Sequence, residues 1–150
     1  IQVLDHTFKG FYQTQRYMTI NGPDAPTFYT YHTEIKVKSI ITAPTIGEVV
    51  PKGKYTVSGK AWSGEDEIAE VELSTDGGTH WHKAHLLPRS GYSWHRWEYQ
   101  WDIPSSGNYI LMSRATNHNG ETQPMDFPNK WDGLGYGNNM VFPHPVEVRD

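Results

Sequence analysis

Residues 55–101 alternate apolar and polar side chains in three separate runs. A chain built this way must put one face of each run into a core and leave the other outside. In the first run Tyr55, Val57 and Ala61 stand opposite Thr56, Ser58 and Lys60. In the second, Ala69, Val71 and Leu73 alternate with Glu70 and Glu72. In the third, Trp97, Tyr99 and Trp101 alternate with Arg96, Glu98 and Gln100. Side chains on extended backbone repeat every second residue, so each run predicts a half-buried strand. Ser63–Asp66 supplies turn chemistry between the first two runs. Asp76-Gly77-Gly78 predicts a hairpin turn, because glycine reaches φ > 0 without a Cβ penalty, and His80 to Leu87 is expected to return antiparallel. The stretch reads as two strand pairs set back to back.

The same period continues on either side. Ile35, Val37 and Ser39 alternate with Lys36, Lys38 and Ile40 in a strand expected to end near Pro44. Pro104–Gly107 turns the chain into a strand over Tyr109–Thr116, and Val141–Val148 provides a last one. About seven strands result, with no capped face of helical period, which predicts an all-β sandwich. Tyr109 and Leu111 point to one side of their strand, Ile110 and Met112 to the other. Apolar residues on both sides predict a strand covered twice, by the second sheet and then by either a loop of the chain or a partner subunit. Residues 1–33 differ: they are aromatic and polar without a clean period, and Asn21 to Pro26 is loop chemistry. This segment reads as a connection that needs another surface to pack against.

At 150 residues the chain suffices for one domain with a core, and six Trp, nine Tyr and five Phe give that core area despite a hydrophobic fraction of 36%. A net charge of −4 with no basic stripe gives a nucleic-acid partner no electrostatic footing. No apolar run approaches the roughly 18–20 residues of a membrane span. The count of zero cysteines excludes disulfides and thiolate chemistry within these residues. The chain opens at Ile1 rather than Met, which predicts a processed chain or a fragment.

Several motifs invite a chemical reading. Ser74 to Trp81 fits the S-x-D-x-G-x-x-W pattern known as the Asp box of sialidase-type propellers. Propellers repeat this unit blade after blade, and a single copy reads as a stabilised hairpin. His80 and His82 share a strand face while His85 faces the other way, and no carboxylate or Cys lies at a zinc-like spacing, so no metal site is expected. Glu65, Asp66 and Glu67 form a solvated charge run. Asp126, Asp132 and the segment Trp131 to Asn139 could line a ligand, but the strand-to-helix setting of a phosphate loop is missing. No catalytic residues are therefore assigned. Arg96, between Trp94 and Trp97, is the charged residue that stands out: a guanidinium among rings suits planar anion recognition, or it is a surface arginine stacked on Trp94. Arg114 shares this ambiguity on the side of Ile110 and Met112.

KVKSIITAPTIGEVVP, YTVSGKAWSGEDEIAEVELSTDGGTHWHKAHL, WHRWEYQW, RATNHNGETQP and a final W-x-x-x-G-Y-x-x-N pattern around Trp131, Gly135 and Tyr136 follow one another in order, within a likeness that covers residues 35–149. This series resembles the C-terminal dimerisation domain of the sulfite oxidase family of molybdopterin-dependent oxidoreductases, which includes bacterial sulfite dehydrogenases. Residues 1–20 resemble the end of that family's preceding catalytic domain. The resemblance implies residues 1–33 as the tail of a catalytic domain with a linker, and 34–150 as an immunoglobulin-like dimerisation domain. It implies a homodimer, contact with the remainder of the catalytic domain, and a periplasmic location. Molybdopterin would belong to the parent enzyme, since the cysteine that holds molybdenum in the family is not among these residues. The resemblance further implies that Arg96 reaches an anion pocket, and Tyr109, Ile110, Leu111 and Met112 are the expected dimer interface. The rival reading is a free-standing carbohydrate-binding or adhesion sandwich with Trp62, Trp81, Trp94 and Trp97 as a stacking platform.

Overall fold

A computed structural model describes residues 2–20, 29–64, 66–126 and 137–150. The chain forms two compact units, one holding the described residues up to Ile35 together with 137 and 138, the other running from Lys36 to Asp126 and from Asn139 to Asp150. The first unit contains helix α1 (Phe11–Gln15) and an antiparallel pair, β1 (Met18–Ile20) with β2 (Tyr29–Tyr31). Helix α1 buries no residue, and Val3, Phe8, Phe11 and Tyr12 are exposed. The short helix departs from the all-strand expectation but is too brief to stand on its own hydrogen bonds.

The second unit is a sandwich of two sheets. One has five strands in the order β4-β11-β10-β6-β7, the other four in the order β3-β5-β9-β8. Their spans are β3 Lys38–Ala43, β4 Val49–Pro51, β5 Gly53–Trp62, β6 Ile68–Ser74, β7 His82–Lys83, β8 His85–Leu86, β9 His95–Ile103, β10 Gly107–Asn117 and β11 His144–Arg149. Except for the parallel pair β4–β11, neighbours run antiparallel. This two-sheet, all-β arrangement is consistent with the immunoglobulin-like class. It has nine strands rather than about seven because β4 is a short addition and the return from the hairpin splits in two.

The core lies between the sheets. Val57 and Ala61 from β5, Trp97 and Trp101 from β9, Val71 and Leu73 from β6, and Leu111 and Ala115 from β10 are all buried there. Trp97 lies over Gly59, where a Cβ would collide with the indole and with the Ile40 carbonyl, so close sheet packing requires the missing side chain.

Three expectations are corrected. The first two runs are not a hairpin: β5 and β6 lie in different sheets, β5 pairing with β9 and β6 with β10. His80 to Leu87 does not return as one strand either. His82–Lys83 pairs with β6, then the chain crosses the sandwich and His85–Leu86 pairs with β9. Finally, Ala69 faces solvent while Ile68 is buried, because the register between β6 and β10 slips by one residue between Thr116 and Asn117. Ala69 is the extra residue of that bulge, and alternation inverts across it.

Candidate interaction surface

The outer faces of the two sheets differ in chemistry. On the four-stranded sheet the outward residues of β5 and β9 are polar up to Lys60 and Arg96: Gln100 Nε2 donates to Thr56 Oγ1 at 2.9 Å, and Lys60 stands directly opposite Arg96, with Trp62 following at the end of β5. Arg96 is exposed and carries no ion pair among the described residues. Trp62 and Trp94 stack with ring centroids 4.6 Å apart, and it is Lys60 whose ammonium lies over Trp94, 5.6 Å from its centroid. Beyond the β3 edge is a groove of about 380 Å³, lined among others by Ile40, Ile46, Phe142 and His144. His144 is buried there, its Nε2 2.8 Å from the Pro44 carbonyl oxygen. Above the edge itself, Gln123 accepts from the Ser39 backbone N–H at 2.7 Å and donates to the Met140 carbonyl at 3.1 Å.

On the five-stranded sheet the central strand β10 turns apolar residues outward. Ile110 is 45% exposed, paired across the ladder with the outward Pro145, and Met112 is half-buried. Next to them the Asp-box turn folds over the sheet. Asp76 accepts from the backbone N–H groups of Thr79 at 3.1 Å and His80 at 2.9 Å, while Ser74 Oγ accepts from Gly78 N–H at 2.8 Å. Both Gly77 and Gly78 have positive φ, the conformation the sequence demanded there. The backbone and side-chain hydrogen bonds from His80, then that from Ser74, hold the Asp76 carboxyl well below the usual carboxylate range. The turn seats Trp81, whose indole N–H donates to the Gly78 carbonyl at 3.0 Å. At Gly78 the space a side chain would need is already taken by Met125 at 3.2 Å and Met112 at 3.3 Å.

Arg114 completes this surface. Its Nε donates to Glu72 at 2.7 Å, and its guanidinium lies 4.2 Å from the Trp81 ring centroid. The remaining charges at outward positions are also matched within the chain, Lys83 with Glu70 at 2.7 Å and Arg149 with Glu147 at 2.8 Å. Ile110, Met112, Met125 and Trp81 thus form an apolar centre within neutralised pairs.

The residues singled out by sequence divide accordingly. Ile110 and Met112 lie on this outer surface. Leu111 is fully buried between the sheets, and Tyr109 packs edge-on against Trp101 at 5.0 Å with its hydroxyl donating to the Ser105 carbonyl. Both point into the sandwich, Leu111 fully covered and Tyr109 partly exposed at its hydroxyl end. Arg114 stands on β10 itself, on the side of Ile110 and Met112 where the sequence placed it, while Trp81 and Met125 are brought in by the hairpin turn and the segment after β10. For these two the one advance signal was the Asp-box Trp. The four tryptophans do not make one platform: Trp97 is a core residue, Trp81 lies under Arg114, and only Trp62 and Trp94 stack together. Asp132 and most of Trp131 to Asn139 lie outside the described residues.

The second unit is thus a sandwich with its own core and an outward apolar centre. Residues 29–149 match the model of the Mo-co oxidoreductase dimerisation domain, and the chain belongs to that family. It is 30% identical over 148 residues to mitochondrial sulfite oxidase of Homo sapiens, covering 94% of this chain and 26% of the relative. Sulfite oxidase of Gallus gallus is 30% identical over 134 residues, 85% of this chain and 28% of the relative. The chain spans about a quarter of the length of these relatives. Among solved structures, the sulfane dehydrogenase SoxCD of Paracoccus pantotrophus superposes with a TM-score of 0.69 at 26% identity, covering 97% of this chain and 40% of that one.

The family description implies a molybdenum cofactor. With zero cysteines in the sequence, and no group of three or more His, Asp or Glu side chains placed to hold a metal among the described residues, the donor set does not fit a thiolate-held molybdenum centre. No catalytic step is assigned to these residues.

Proposed function

We propose that this chain is the subunit-pairing module of a molybdopterin-dependent oxidoreductase of the sulfite oxidase type, joining two copies as a C2 homodimer. The observation that carries the reading is that the family match falls on a sandwich with a complete core and no thiolate donor. Such a domain can organise an active site held elsewhere without containing it. The parent would carry out the two-electron oxidation or reduction of an oxyanion, with molybdopterin supplying that chemistry in its catalytic domain. The exposed Val3, Phe8, Phe11 and Tyr12 then have a natural cover in that domain. The periplasmic location is part of the same proposal.

Analytical ultracentrifugation of the full-length parent tests the pairing reading. A two-subunit species is expected at micromolar concentration, and a monomer persisting to high micromolar concentration would sink it. Within this reading Arg96 is proposed to lend positive charge to the parent's anion pocket. An unchanged KM for the oxyanion in an Arg96→Ala parent enzyme would retire that role.

A further inference from the structure

Building on the pairing reading, we infer that the two copies meet through the outer face of the five-stranded sheet, with Ile110 and Met112 at the two-fold axis. Composition is the first argument. Interface centres are enriched in Met, Trp and Arg and poor in unpaired charge, and this face gathers Ile110, Met112, Met125, Trp81 and a stacked Arg114. The outer face of the other sheet sets Lys60 directly beside Arg96, two like charges on its two central strands, and its stacked Trp62 and Trp94 lie at one end of β5 and β9.

Charge is the second argument. A two-fold axis brings each residue near its own copy, so unpaired like charges close to the axis would repel. Here the outward charges of β6, β7, β10 and β11 are already matched as Arg114–Glu72, Lys83–Glu70 and Arg149–Glu147. The face therefore asks for no oppositely charged partner and tolerates its own image. Size is the third. At ~3.4 Å per residue and ~4.8 Å between strands, the 29 strand residues of this sheet cover roughly 470 Å² in projection, more than half of the ~800 Å² per partner that stable pairs bury, and the Asp-box turn beside them extends it.

The groove beyond β3 is the competing surface, and the experiment separates the two. In the full-length parent, Ile110→Glu and Met112→Glu should each raise the dimer dissociation constant about thirtyfold or more, while Ile46→Glu in the groove leaves it unchanged. Ile110→Cys introduces the single thiol of this chain and should form a 110–110 disulfide between copies, mapped by mass spectrometry. Unchanged melting of the Glu variants, read by circular dichroism at dilution, shows that loss of pairing is not loss of folding. Dimers that survive both Glu substitutions and dissociate with Ile46→Glu overturn this face but leave the pairing reading standing. A wild-type parent that is monomeric overturns both.

Discussion

On the four-stranded sheet the outward positions of β5 and β9 carry Thr56, Lys60, Arg96 and Gln100, whereas on the five-stranded sheet the central strand turns Ile110 and Met112 outward. Both faces obey the same two-residue period, and both hide their other side in one core. The difference lies in what each strand leaves outside: groups that water satisfies, or groups that it does not. Alternation alone divides inside from outside. The composition of the outside then tells whether solvent is the final neighbour.

The sharpest way to break this comparison is to truncate neighbouring residues of β10 that face opposite ways. Leu111→Ala removes a fully buried side chain and should cost about 2–5 kcal/mol in urea denaturation. Ile110→Ala, measured at dilutions where copies are apart, should cost less than about 1 kcal/mol. Equal costs would mean that the outer face is itself packed under the chain.

A smaller effect is expected at the turn that seats Trp81. The Asp76 carboxyl has a depressed folded pKa, so its stabilising contribution is complete above the ordinary value of 3.8. That contribution declines as the pH falls from there through the depressed value. Melting temperature against pH should therefore fall more gently below pH ~4 for Asp76→Asn than for the parent sequence, from a lower starting point, since the amide accepts the same N–H groups less strongly. Identical slopes would show that the carboxylate does not hold the turn. The smallest effect is expected from Thr56→Val on the polar face, which should alter stability by no more than about 0.5 kcal/mol.

The elements whose logic is local were legible in the sequence. Val57 and Ala61, then Trp97 and Trp101, announced their buried faces by period, and Asp76-Gly77-Gly78 announced its turn. What escaped depended on partners distant in sequence. Ala69 was assigned to the core because nothing within β6 reveals the register slip against Thr116 and Asn117. The split of His80 to Leu87 between two sheets follows from which neighbour each half finds, β6 or β9. The outward pair Ile110 and Met112 was readable from β10 alone. Arg114 was readable with them, whereas the company of Trp81 and Met125 was not, because the Asp-box turn and the segment after β10 bring these two to the sheet.

Gln123 bears on what the β3 edge can recruit. Its side chain lies where the next strand beyond β3 would go, and its oxygen holds the Ser39 N–H, the first rung such a strand would need. A sheet edge left open can recruit chain after chain without end, whereas a face-to-face contact about a two-fold axis is finished at two. An amide 84 positions away in sequence thus occupies a hydrogen bond at this edge that a further strand would otherwise take.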